Sequence, residues 1–136
     1  MGSWQELNHT ADLALHVSGV DLADLFATAA RGMAALLVDP EAVALSESVT
    51  VVLAAPDVET LLVDWLNELL YLGEREETLS VYTTFEFESL TPTALRATVR
   101  GGGVERYAGV IKAATFHNLE VRQTPEGYET EIVFDT

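Results

Sequence analysis

The stretch Leu61-Leu62-Val63-Asp64-Trp65-Leu66-Asn67-Glu68-Leu69-Leu70-Tyr71-Leu72-Gly73 decides how the rest of the chain is read. It is the densest apolar run in the sequence, yet polar side chains interrupt it at a fixed phase. Leu62, Trp65, Leu66, Leu69 and Leu72 recur at helical spacing and form one broad buried stripe. Asp64, Asn67, Glu68 and Tyr71 fall three or four residues apart, which gathers them on an adjacent face. Pro56-Asp57 supplies a start, because an N-cap carboxylate accepts orphan amide hydrogens. Gly73 supplies a stop, because glycine enters the left-handed C′ conformation without steric cost. The run is short for a membrane span, which needs about 20 apolar residues. It reads as the central helix of a soluble core, over Asp57–Leu72. Asp64 and Glu68 are either a solvated pair or the polar lining of a groove beside that core.

Toward the N-terminus, Asp21 opens a second helix in which Leu22, Leu25, Phe26, Ala29, Met33, Leu36 and Leu37 keep helical spacing. Asp39-Pro40 ends it, since the residue before proline avoids helical dihedrals. Trp4–Asn8 and Leu13–Ser18 read as short strands flanking the polar corner His9-Thr10-Ala11-Asp12. Ser48–Ala54, apolar on both faces, reads as an interior strand.

Beyond the central helix, Glu74-Arg75-Glu76-Glu77 reads as a charged turn. Val81–Ser89 alternates as a half-buried strand does, and Thr91-Pro92-Thr93 turns it back into Leu95–Val99. Gly101-Gly102-Gly103 reads as a flexible break; it lacks the spacing and flanks of a phosphate-binding loop. Val110–Phe116 fits a strand or a short helix. Leu119–Gln123 and Tyr128–Phe134 form a last hairpin about Pro125-Glu126-Gly127. The order predicts an α+β fold, a single two-layer domain over residues 1–136 with two main helices on a mixed, largely antiparallel sheet.

A chain of 136 residues suits one domain. With 49% hydrophobic residues it has enough apolar surface to bury a core. The absence of cysteine excludes disulfides, thiolate zinc sites and cysteine nucleophiles. Seven basic against 22 acidic residues leave a net charge of −15. Such a surface repels a phosphate backbone, which argues against strong independent nucleic-acid binding and favours cations or basic partners. No basic, apolar leader and no long apolar span is visible, so a cytoplasmic address and no membrane association are expected.

GxSxG, HExxH and P-loop signatures are all missing. What remains is polar residues set where the apolar pattern does not require them. Asp12 precedes an apolar strand, with His9 three residues earlier. His117-Asn118 interrupts an apolar segment, and Asp135 follows Ile132-Val133-Phe134. Two aspartates at strand ends with nearby main-chain oxygens suit a hard divalent cation, and the Thr136 carboxylate adds oxygens if the chain ends there. Taken singly, each also reads as an ordinary turn cap, a solvated carboxylate or a hydrogen-bonded histidine. Lys112, the only lysine, either pairs with a carboxylate or meets a partner's anion.

Four blocks together give the chain a likeness. His9-Thr10-Ala11-Asp12, Leu61–Leu70 (LLVDWLNELL), Ile111–Val121 (IKAATFHNLEV) and Val133-Phe134-Asp135 resemble the archease family, in the family's order and across essentially the whole length. The resemblance implies a protein cofactor, not an enzyme. Its members activate RtcB-type RNA ligases in tRNA splicing by promoting guanylylation of the ligase and its turnover. It implies a divalent-metal site, expected to hold calcium with magnesium or manganese as alternatives, on Asp12, Asp135 and the Thr136 backbone. It also places the family's functional lysine at Lys112, with His9 and His117 beside it in partner activation. Three positions depart from the family: Val99–Val110 lacks a histidine, Phe116 stands where tyrosine is usual, and Thr136 replaces an aliphatic residue. The competing readings are a metal-dependent phosphoester hydrolase using His9, Asp12, His117 and Asp135, and a chaperone-like binding module.

Overall fold

Alternating apolar residues build the first hairpin. In the computed structural model, which describes residues 2–7, 13–75 and 78–136, strand β1 (Ser3–Leu7) pairs antiparallel with β2 (Leu13–Gly19). Leu15 and Val17 point inward and are fully buried, while His16 and Ser18 face outward. Asn8, assigned above to the first strand, lies outside the described residues. Helix α1 (Leu22–Leu37) starts where expected, with the Asp21 carboxylate accepting from the Asp24 amide at 2.8 Å. A 3-10 turn at Pro40–Ala42 follows it.

Strand β3 (Glu47–Ala54) leads into helix α2 (Val58–Glu74), capped by Asp57, whose carboxylate accepts from the Thr60 amide at 2.7 Å. Hydrogen bonding from Thr60, its side chain first and its amide second, holds the Asp57 carboxyl below its ordinary range. The predicted stripe of Leu62, Trp65, Leu66, Leu69 and Leu72 is buried throughout. Strands β4 (Leu79–Thr91) and β5 (Ala94–Val104) form the predicted hairpin about Pro92-Thr93, with bulges between Tyr82 and Thr84 and between Phe87 and Ser89. Strands β6 (Ala113–Ala114), β7 (Arg122–Thr124) and β8 (Gly127–Asp135) complete the chain.

The α+β class with two main helices holds, and every strand pairing among the described residues is antiparallel. The sheet is split in two. One follows the order β1-β2-β8-β6 with β7 also on β8, and the other the order β3-β5-β4. Helix α1 touches strands of both, and this explains its small residues. Gly32 lies under Leu15 and Trp4 of the first sheet, while Phe26 meets Phe87 of the second edge to face at 6.4 Å.

Four sequence expectations are corrected. Strand β3 is an edge, not an interior strand. Its apolar character on both faces misleads because the helices cover one side only; Val52 on the other side is 62% exposed. Gly73 does not end α2 but sits buried inside it, before the Arg75 cap. A Cβ there would run into the Ser80 carbonyl, so close approach rather than a left-handed turn requires glycine. Gly101-Gly102-Gly103 is part of β5 rather than a break, because side chains at the first two would strike the Val81 and Ala44 carbonyls. Residues 110–116 form neither a helix nor a full strand, only the two-residue β6. Of the expected charged turn, Glu74 closes α2, and residues 76–77 lie outside the described set.

Trp65 is the centre of the packing. It is completely buried, its indole N–H donates to the Phe26 carbonyl at 3.1 Å, and its ring meets Phe85 and Phe87 at 5.8 and 5.0 Å. Trp65→Ala is expected to lower unfolding free energy by about 3–5 kcal/mol in a denaturant titration, from lost transfer energy plus the cavity. A loss below about 1 kcal/mol would deny Trp65 this central place.

Tyr107 ties the Gly73 region to β4, its hydroxyl lying 3.2 and 3.0 Å from the Gly73 and Ser80 carbonyl oxygens. Burial, then the nearby Glu74 charge and Tyr82, pushes this phenol up to about 12. Tyr82 is also raised, mainly by burial. Because the folded state resists ionisation, the stabilisation is intact below pH ~10 and is lost as pH rises from there through about 12. Tyr107→Phe is expected to flatten the fall of Tm across that window, with Tyr82 leaving a residue of it. An unchanged alkaline slope would contradict the assignment.

Candidate functional site around Lys112 and Asp135

The site is made by an edge that fails to stay regular. Strand β8 is paired on one side with β2, in a register that sets Leu13 opposite Phe134. On its other side β6 places Ala113 against Asp135 and Ala114 against Phe134, and β7 places Arg122 against Glu129. Between these two short pairings, seven residues (115–121) face only four on β8 (130–133). The surplus is expelled as a loop carrying Phe116, His117 and Asn118, all exposed.

Two threonine hydroxyls add hydrogen bonds to the opposing main chain at the mouth of this loop. Thr115 donates to the Val133 carbonyl at 2.9 Å, and the buried Thr130 donates to the Glu120 carbonyl at 2.8 Å. Inside the loop the His117 amide donates to the Thr115 hydroxyl at 3.3 Å, and the Leu119 amide to the Phe116 carbonyl at 3.0 Å. Asn118 takes a φ of 51°, a left-handed conformation that asparagine tolerates better than most residues. Its amide nitrogen lies 3.4 Å from His117 Nε2.

Lys112 and Asp135 are neighbours: the Lys112 amide donates to the Asp135 carbonyl at 2.7 Å. Both side chains are exposed, as is Thr136. The ion pairs among the described residues are His16–Glu129, Arg96–Glu88 and Arg122–Glu129, and Lys112 is in none of them. A depression of about 170 Å³ lined by Thr115, His117, Val133, Phe134 and Asp135 opens beside this corner. So Lys112, His117, Asp135 and Thr136 gather at one end of β8. His9 and Asp12 lie outside the described residues. Among the described residues no three acidic or histidine side chains converge on one point. The exposed carboxylate of Asp135 has the hard-donor chemistry that suits a divalent cation.

Asp64 is exposed and Glu68 half-buried on α2. Neither lines the depression. A larger hollow of about 340 Å³, lined by His16, Ser18, Tyr128 and Glu129 among others, lies at the opposite end of β8 and holds none of the predicted residues.

The residue that sequence reading undervalued is Asn67. Its side-chain amide donates to the Ala114 carbonyl at 3.1 Å and accepts from the Ala114 amide at 2.7 Å, so it pairs with β6 as a further strand would. Glu59, eight residues earlier on α2, accepts from the Val121 amide at 3.0 Å. An amide side chain interrupting so apolar a helix was the available signal for Asn67; nothing in the sequence marked Glu59.

A family profile described as "Archease protein family (MTH1598/TM1083)" matches residues 4–136. The protein archease of Methanosarcina mazei is 34% identical over 143 residues, covering 97% of this chain and 94% of that one. The protein archease of Archaeoglobus fulgidus is 34% identical over 131 residues, covering 95% and 96%. Among solved structures, protein 1598 of Methanobacterium thermoautotrophicum superposes with a TM-score of 0.79 at 25% identity, covering 98% of each chain. A Thermotoga maritima protein described as an archease and possible chaperone gives 0.63 at 25% identity, covering 97% of this chain and 96% of that one. With a match over nearly its whole length and relatives above 30% identity, this chain belongs to the archease family.

Proposed function

We propose that this protein is an accessory factor that activates an RNA ligase of the RtcB type, promoting its guanylylation and turnover, and that it uses a bound divalent metal to do so. The observation that carries the reading is the meeting of Lys112 and Asp135 at one corner, in a chain whose family and sequence blocks are those of archease. Asp135, the Thr136 backbone and Asp12 are the residues that would hold the cation, with calcium the first expectation. Leu13, next to Asp12 in sequence, pairs with Phe134, next to Asp135. When bound, such a cation supplies positive charge against phosphate oxygens.

The chain's own residues do the rest. Lys112, exposed in a protein of net charge −15, presents the single lysine ammonium of the chain toward a phosphate or a partner carboxylate. His117 stands on the expelled loop, and in this reading it and His9 serve in activation of the partner. The acidic surface suits a basic, RNA-binding cleft and disfavours independent binding to nucleic acid. No helix among the described residues is long and apolar enough to cross a membrane, and a cytoplasmic location goes with this reading. Joining of RNA belongs to the ligase. A chaperone-like binding module is the second reading, favoured by the description of the Thermotoga relative.

Asp12→Ala, Lys112→Ala and Asp135→Ala are each expected to stay folded and to lose stimulation of the cognate ligase by tenfold or more, a transition-state loss of about 1.4 kcal/mol or above. The measurements are multiple-turnover ligation and formation of the ligase–GMP adduct, with GTP and a divalent metal present. Folded variants that stimulate both steps like the parent would remove the site. A parent without effect on its ligase, but able to suppress aggregation of an unrelated client, would favour the chaperone reading. Calcium titration of the parent is expected to show saturable binding that Asp135→Ala abolishes.

A further inference from the structure

Helix α2 holds both feet of the expelled loop. One foot, Ala114, is gripped by two hydrogen bonds from Asn67; the other, Val121, donates its amide to Glu59. The two clamp residues lie eight apart, just over two turns, so they share one side of the helix at a spacing of about 12 Å. This matters because β6 is too short to fix itself, having only two residues in its ladder with β8. Everything proposed to act at this corner hangs on that short piece. The Lys112 amide binds Asp135, and Thr115 binds Val133 through both its amide and its hydroxyl.

We infer that Asn67 and Glu59 are positioning residues of the Lys112–Asp135 corner: by holding Ala114 and Val121, they set where Lys112, His117 and the Asp135 carboxylate stand. The inference rests on the proposed function for what the corner does, but not for the clamp itself. Asn67 is the dominant half, because its amide satisfies both the donor and the acceptor of one residue, whereas Glu59 satisfies a single donor. Backbone groups of an interrupted edge that are not held this way open to water readily.

The test is residue-resolved amide hydrogen exchange on the full chain, with calcium titration of the same samples. Asn67→Ala is expected to speed exchange at Ala114 and Lys112 about tenfold or more, with β5 amides unchanged after correction for global stability. Asn67→Asp keeps an acceptor for the Ala114 amide, so it is expected to restore part of that protection. Glu59→Ala should expose Val121 alone, and Glu59→Gln, which keeps an acceptor, should restore it. Calcium affinity is expected to fall about tenfold in Asn67→Ala and less in Asn67→Asp. A purely structural asparagine would instead accelerate exchange across α2 and β4 together, and that pattern, or unchanged rates at Ala114, would overturn the inference. If Asn67→Ala fails to fold, the Asn67→Asp and Glu59 variants decide it by the same local pattern. A parent that binds no calcium would sink the metal reading while the exchange rates still decide the clamp.

Discussion

The position of Trp65 is the constraint on which the rest of this structure depends. Its ring fills the space between α1 and β4, and its indole N–H must find an acceptor in that dry environment. The Phe26 carbonyl supplies it. Once the indole is fixed, α2 cannot rotate about its own axis. Asn67 lies two residues on, about 200° around the helix, so a tryptophan facing the second sheet turns the asparagine toward β6. The same side chain that closes the core therefore aims Asn67 at the Lys112–Asp135 corner.

The two sheets divide the work between packing and presentation. The second sheet, β3-β5-β4, brings aromatic residues and closely approaching glycines to the helices. The first sheet carries β8, a strand whose partners on one edge are two fragments with a loop between them. Breaking an edge strand removes a surface on which other chains could pair and places exposed polar residues where it breaks. Here the side chains of Thr115, Thr130, Asn67 and Glu59 supply hydrogen bonds to main-chain groups on either side of the break.

Charge and geometry complement each other at this corner. The chain is strongly acidic, and its one lysine stands beside a carboxylate-bearing strand end. A lone ammonium in such a field is attracted to its surroundings, yet Lys112 takes part in no ion pair among the described residues. The short hydrogen bond from its backbone fixes where its side chain begins and leaves the side chain itself to solvent.

The sequence by itself determined the two helices, their N-caps and their buried faces, because hydrophobic period and N-cap chemistry are local properties that survive into the fold. It also marked His117 and Asp135 as polar residues the apolar pattern does not require and Lys112 as the only lysine, and four separated blocks carried the family likeness. It did not determine which strand is an edge. Ser48–Ala54 looks interior because apolar side chains are counted without knowing that helices cover only one face. It could not tell a terminating glycine from a close-packed one either: Gly73, Gly101 and Gly102 are required by carbonyl oxygens distant in sequence or on a neighbouring strand. The clamp on the loop was equally out of reach. Asn67 and Ala114 are 47 residues apart and Glu59 and Val121 are 62 apart, and such pairs meet only after the core has set the rotation of α2.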